Sequence, residues 1–205
     1  MPSATKESSV VPKGVRAQSF GVDTPRPLMA TYQIDPQHTA AHFKVRHMMI
    51  SNVKGEFSGV TGTVDFDAMN LPASHVEATI NAATVSTRES QRDKHLKGAD
   101  FLDVRRFPVM TFRSTKIVST GDGSYDLTGD LTIRGVTRDV TLQVESLTPE
   151  IKDPDGQLRR GASASTRIER KDFGLTWNAV LESGGFLVGD DVDITIDVEM
   201  VRKPE

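Results

Sequence analysis

The alternation of apolar and polar side chains constrains the fold of this chain more than any other feature of its sequence. In residues 41–46, Ala41, Phe43 and Val45 occupy one parity, and the residues between them are polar or charged. The same spacing recurs in residues 64–67, 76–80, 110–112, 127–133, 140–145 and 192–199. Because successive side chains of a strand point to opposite faces, the pattern predicts antiparallel sheet with one apolar face and one face in water.

Turn-forming sequences at residues 67–72, 121–123, 134–137, 153–156 and 184–185 separate these runs. About eight strands result, with little helix to cover their apolar faces. A two-sheet sandwich or a closed barrel would bury those faces, and only the barrel removes the exposed sheet edges. Glycines inside strand patterns (Gly55, Gly59, Gly62 and Gly129) and bulky Phe and Met on the apolar parity favour an eight-stranded antiparallel barrel. Such a barrel is either packed solid or holds one small ligand.

The first thirty residues differ from the rest. They mix Ser, Pro, Gly and scattered charge without periodicity, so we expect a flexible extension over residues 1–30 and one domain over residues 31–203. The extension has no apolar run of signal-peptide length, and the chain has no run long enough to span a bilayer. With 205 residues and no cysteine, the chain also lacks a lipidated Cys, and we expect a cytoplasmic protein.

One short helix is predicted in this sheet protein, within residues 88–97. Ser86 or Thr87 is placed to cap its start, and Gly98 to end it as a left-handed residue. The apolar Leu96, Phe101 and Leu102 are too few to build a core. We expect them to plug an opening of the barrel.

Several ordered segments resemble one known family. They are the RDKHL helix, DFLDVRRFP, GDLTIRGVT and the Arg170–Gly174 segment RKDFG, and together they are similar to the YceI-like (polyisoprenoid-binding) family over residues 31–201. The resemblance implies an all-β fold, an extended eight-stranded antiparallel lipocalin-like β-barrel with one short α-helix near the lumen. It also implies that the lumen binds a long isoprenoid or similar amphiphile, without catalysis. Many family members carry an export signal, which we do not find here.

On this reading the apolar parity lines a ligand-binding lumen. The residues that we expect there are Phe43, Val45, Phe57, Val64, Phe66, Val76, Ile80, Leu96, Phe101, Leu102, Met110, Phe112, Leu131, Ile133, Leu142 and Phe173. Cations of the predicted helix are candidate contacts for a ligand head group: Arg88, Arg92, Lys94, His95 and Lys97. The alternative for these cations is an ordinary solvated helix face.

Other functions fit the sequence less well. A metal site is not expected, because His42 and His47 fall on opposite strand faces, and His38 and His42 share only the outward one. The net charge of -3 and the lack of exposed aromatics among the arginines argue against nucleic acid. The partner is therefore a hydrophobic lipid, with no cofactor and at most transient membrane contact, and a homodimer stays open. An enzyme acting on an isoprenoid or quinone would need a reactive pair in the lumen, and the inward parity is almost wholly apolar.

Overall fold

Strands make up most of this computed structural model, which describes residues 29–121, 123–182 and 184–204. The strands are β1 (Ala30–Ile34), β2 (Ala40–His47), β3 (Ser51–Phe57), β4 (Val60–Phe66), β5 (His75–Asn81), β6 (Val109–Gly121), β7 (Ser124–Ile133), β8 (Val136–Glu145), β9 (Ile151–Lys152), β10 (Leu158–Glu169) and β11 (Val188–Arg202). One α-helix, α1 (Ser90–Lys97), and three 3-10 turns, Leu71–Ala73, Ala82–Thr84 and Arg170–Phe173, accompany them. Residues 1–28 lie outside this described part, and so does the extension expected there.

Eight of the strands close into an antiparallel barrel in the order β1-β4-β5-β6-β7-β8-β10-β11, with β11 returning to β1. The longest pairing joins β10 to β11, from Arg159 opposite Val201 to Glu169 opposite Asp191. The return to β1 uses the end of β11, where Tyr32 is opposite Arg202. The predicted all-β, eight-stranded antiparallel barrel with one short helix is therefore confirmed.

The β2–β3 hairpin lies outside this ring and extends its wall. With fifteen residues, β11 is long enough to pair with β1 near its end and with β2 over Val188–Asp197. The register shifts between Val188 and Val192, as a bulge would produce. A single bridge from Glu56 to Ser86 then joins β3 to the loop before α1.

Two glycines show how tightly the strands coil. A Cβ on Gly129 would lie 2.3 Å from the carbonyl oxygen of Arg113 on the adjacent β6, so only glycine allows this approach. Between β7 and β8, Arg134 and Gly135 both have positive φ, 50° and 74°. Two consecutive positive φ values form the tight hairpin turn whose twist matches that of the strands.

The helix begins later than the sequence predicted. Its N-cap is Glu89, whose carboxylate accepts hydrogen bonds from the backbone N–H groups of Gln91 and Arg92 at 3.0 and 2.7 Å. Thr87 does not cap the helix because its N–H and hydroxyl both donate to Asp93. Gly98 does follow the last helical residue, Lys97, as predicted, but its backbone is extended, with φ −77° and ψ 177°, and not left-handed. None of the helical segments in the described residues has the length and hydropathy that a bilayer-crossing helix requires.

Strand β10 was not predicted from the alternation. Its sequence, LRRGASASTRIE, is rich in small and charged residues, so its inward parity carries little apolar bulk. The inward side chains are those of Arg160, Ala162, Ala164, Thr166 and Ile168. An arginine and a threonine of β10 therefore face a lumen whose wall the sequence predicts to be almost wholly apolar.

A candidate ligand cavity inside the barrel

A partly open cavity of about 320 Å³ lies inside the barrel, and its volume is within the range of small-molecule sites. Inward side chains from the strands form most of its wall, so the barrel is not packed solid. All but one of the residues predicted to line a lumen do line it: Phe43, Val45, Phe57, Val64, Phe66, Val76, Ile80, Leu96, Phe101, Leu102, Met110, Phe112, Leu131, Ile133 and Leu142. That they contact a ligand stays a prediction.

Phe173 is the exception. It is 1% exposed and packs in a core cluster with Val85, Leu102 and Ile168, where it supports the wall without reaching the cavity. The reason lies in its position, because it ends the 3-10 turn that follows β10 rather than standing on a strand. Its predicted contact with ligand therefore does not fit the geometry.

The five cations considered for a ligand head group do not line the cavity either. Arg92 donates to the hydroxyl and the carbonyl oxygen of Thr87, at 2.7 and 3.1 Å. His95 contacts Asp100 at 3.0 Å. Arg88 and Lys94 are exposed, and Lys97 is half-buried. The structure thus gives these five side chains partners on the protein or contact with solvent, and a head-group role for them stays a prediction that the cavity does not support.

An aromatic cluster closes the wall beside α1. Trp177 lies against His95 and Phe101, with ring centroids 4.7 and 5.3 Å away, and the rings of His95 and Phe101 are 5.0 Å apart. Leu96, Phe101 and Leu102 face the cavity, as expected for a plug. Trp177 was missed because it stands in an irregular segment with no periodicity.

Arg170 lines the cavity near this cluster and is almost fully buried, at 3% exposed. Its guanidinium donates to the carbonyl oxygens of Leu175 and Trp177, and to that of Gly189 at 2.8 Å. It also pairs with Asp190 at 3.0 Å. These acceptors come from the loop after β10 and from β11. Arg170 therefore links that loop to β11 at one end of the barrel.

A second polar group lies toward the other end of β10. Tyr32, 2% exposed, lines the cavity and donates a 2.6 Å hydrogen bond to Glu150, which also accepts from Arg202 at 3.2 Å. Burial, followed by this hydrogen bond to a carboxylate, raises the pKa of Tyr32 to about 12. The same bond is the main reason that the pKa of Glu150 lies below its ordinary value. The phenol is therefore neutral and the carboxylate charged at neutral pH.

Arg160 lies beside Tyr32 in the cavity wall. Its guanidinium carbon is 5.8 Å from the centroid of the Tyr32 ring and 5.4 Å from that of the Phe66 ring, at cation–π distance. Its Nε is buried and has no hydrogen-bond partner among the described residues. Arg160 shares its strand parity with Ala162, Ala164 and Ile168, and this pattern could have predicted an inward side chain. The signal is weak, because two of the three residues are small, and it was not recognised.

One group of possible metal ligands, Asp35, His38 and Glu199, lies away from the cavity wall. Arg159 fills the space between the acids, with Nη1 2.7 Å from both Asp35 and Glu199. Its hydrogen bond is the main reason that the pKa of Asp35 falls to about 2. A guanidinium thus compensates the carboxylates at the position where a metal cation would bind.

Comparison with known proteins agrees with this architecture. The model of the YceI-like domain matches residues 32–200. The Protein YceI of Salmonella newport is 39% identical over 176 residues, which are 85% of this chain and 88% of that protein. Among solved structures, Burkholderia cenocepacia BcnA has a TM-score of 0.70 at 22% identity, covering 81% of this chain and 98% of that one. A polyisoprenoid binding domain from Saccharophagus degradans, implicated in plant cell wall breakdown, has a TM-score of 0.61 at 14% identity, covering 86% of this chain and all of that one (100%).

Proposed function

The chain belongs to the YceI-like family, and on that premise we propose that it binds a long-chain isoprenoid or similar amphiphile inside its barrel. A polyprenyl, quinone-like or fatty amide lipid would fit this description, and its binding would serve sequestration or transport. The observation that carries the proposal is the cavity of about 320 Å³ inside the barrel, whose wall is formed mainly by Val, Ile, Leu, Met and Phe side chains. The structural likeness to a polyisoprenoid binding domain is consistent with it.

The energetics of such a ligand favour a carrier. Moving each methylene out of water is worth roughly 0.8 kcal/mol, but a polyprenyl chain normally lies in a bilayer, so water is the wrong reference. The cavity has only to offer a comparably apolar environment. Side chains such as Phe43, Met110 and Ile133 provide such an environment.

An enzyme acting on the same lipid is the alternative, and the cavity wall favours it less. Among the described residues that line the cavity, no Asp, Glu, Ser or Lys occurs. Tyr32 hydrogen-bonds to Glu150, but its raised pKa makes it a poor base near neutral pH. One histidine, His42, does border the cavity, but its side chain is 41% exposed and lies 3.7 Å from Glu56. A wall without a carboxylate or an activated nucleophile therefore favours binding over catalysis.

Native mass spectrometry of the purified full chain tests the proposal. We expect a bound mass that solvent extraction removes and that the same analysis identifies as an isoprenoid or related lipid. The stripped protein should take up an added C40 polyprenol from detergent. If neither the purified nor the loaded protein carries lipid, the proposal fails. A cytoplasmic location, transient membrane contact and a homodimer stay predictions, which fractionation, vesicle binding and the solution mass would test.

A further inference from the structure

Arg160 differs from the other arginines of its neighbourhood. Arg159 binds three carboxylates, and Arg167 pairs with Asp193 at 2.6 Å. Arg170 has carbonyl and carboxylate partners, and Arg202 pairs with Glu150. Within the described residues, the Arg160 side chain has two ring contacts and an electrostatic interaction with Glu150, and its buried Nε has no hydrogen-bond partner. Because buried polar groups in native proteins are almost always satisfied, an unpartnered buried N–H requires an explanation.

The described residues place no hydrogen-bond acceptor at Arg160 Nε. The carboxylate of this end of the barrel, Glu150, interacts with Arg160 electrostatically, but its hydrogen bonds come from Tyr32 and Arg202. The side chains next to Arg160 on the inward face of β10, Ala162 and Ala164, have no polar atoms. The Tyr32 and Phe66 rings engage the guanidinium through cation–π contacts, which leave hydrogen-bonding capacity unused.

We propose that Arg160 recognises an anionic oxygen, a carboxylate or phosphate, at the end of the amphiphile that the barrel holds. A guanidinium has donors only and stays charged, so its partner must be an acceptor. An anion also compensates the charge and forms the stronger, charge-assisted bond. The inference rests on the proposed function, since the apolar wall is what binds the rest of the ligand. It places the polar end of the ligand at the Tyr32 and Arg160 end of the barrel, away from α1.

Matched pairs of probes test this assignment on the stripped full chain: farnesyl phosphate against farnesol, and palmitate against hexadecanol. In the wild type, we expect the anionic member of at least one pair to bind at least tenfold more tightly. The pair that shows the preference distinguishes phosphate from carboxylate. Arg160→Met should abolish the preference and leave the affinity for the alcohol within about twofold, because only the charged contact is removed. Arg167→Met, an outward change on the same strand, should leave both affinities unchanged.

A second measurement does not depend on the folding of a variant. In ¹⁵N NMR of the wild type, the Arg160 Nε–H signal should shift on addition of the preferred anion and not with the matching alcohol. Equal affinities for acid and alcohol, an unmoved Nε–H signal, or the same preference in Arg160→Met would each overturn the assignment and leave a lipid-binding barrel. If no probe binds at all, both the assignment and the proposed function fail.

Discussion

Arg160 and Arg170 lie at the two ends of β10, and both line the cavity, yet their surroundings are opposite. Arg170 is 3% exposed and donates to carbonyl groups and to Asp190. Arg160 stacks on two rings and leaves its Nε without a partner in the described residues. Residue type and an inward position therefore do not by themselves assign a role to an arginine. The hydrogen-bond partners of each guanidinium do: they indicate a structural role for Arg170 and a recognition role for Arg160.

The largest effect should come from the structural arginine. Arg170→Met would leave several buried acceptors and the Asp190 carboxylate without their donor, so we expect the free energy of unfolding to fall by about 3–5 kcal/mol. Urea unfolding measures this loss. Arg160→Met is the matched control and should lower the stability by no more than about 2 kcal/mol, because it loses two cation–π contacts but no hydrogen-bond partner of its Nε. Equal losses in the two variants would refute the distinction between these arginines.

A smaller loss of unfolding free energy should follow from a charge placed in the cavity wall between the two ends of the barrel. Phe112 is 9% exposed and lines the cavity. Phe112→Asp places a carboxylate in an apolar wall, and we expect a loss of about 3 kcal/mol in unfolding free energy together with loss of lipid. Thermal or urea unfolding and native mass spectrometry measure the two effects.

The control for this prediction is the next residue. Arg113 points outward and pairs with Glu77 at 2.7 Å on the exposed surface, so Arg113→Ala should change stability by about 1 kcal/mol or less and leave the lipid in place. A larger effect from Arg113→Ala than from Phe112→Asp would mean that the cavity wall does not follow the parity of β6.

The sequence predicted the cavity wall wherever its strands carry large apolar residues at period two. Phe43, Met110 and Ile133 are examples, since alternation alone places them inside. It could not predict the functions of Arg160 and Arg170, because their difference depends on acceptors from distant segments. Glu150, which accepts from Tyr32 beside Arg160, comes directly before β9, and Asp190, which pairs with Arg170, belongs to β11. The helix cap was also missed, because Thr87 bonds to Asp93 and leaves capping to Glu89.

A more modest effect on stability is expected at the end beside α1. Leu96 and Phe101 face the cavity from this end. Replacing both with Ala should speed lipid loss with only a modest loss of unfolding free energy, because both side chains border the cavity and do not pack against protein on all sides. The helix is too short to be stable away from the barrel. Hydrogen exchange across residues 88–103 should therefore be faster in the lipid-free protein.

Lys94→Ala, on the exposed part of α1, is the control and should leave lipid release unchanged. If exchange is equal with and without lipid, the helix is a fixed plug. If the double variant unfolds outright, the helix belongs to the core, and lipid does not pass at this end.

The smallest effect on stability is expected from Tyr32→Phe, at the end of the barrel opposite α1. This change removes one hydroxyl and keeps the ring under Arg160. At neutral pH we expect a loss of about 1 kcal/mol, the net worth of a hydrogen bond. The pKa of Glu150 is lowered in the folded state, so this stabilisation is present above its ordinary value of 4.5 and is lost as the pH falls through the folded value. The pKa of Tyr32 is raised to about 12 from 10.0, so wild-type stability also falls as the pH rises from 10 towards 12.

The stability advantage of the wild type over Tyr32→Phe should therefore be largest between about pH 5 and pH 10 and should shrink on both sides. Urea unfolding as a function of pH measures it. An advantage that shrinks only on the alkaline side would mean that the Glu150 pKa stays low without the hydroxyl, because another donor has replaced it. Arg160 is the cation of the cavity wall beside Tyr32. If Arg160 hydrogen-bonded to Glu150 in the variant, a protein carboxylate would compensate its charge. The difference between Arg160 and Arg170 would then be one of packing and not of function.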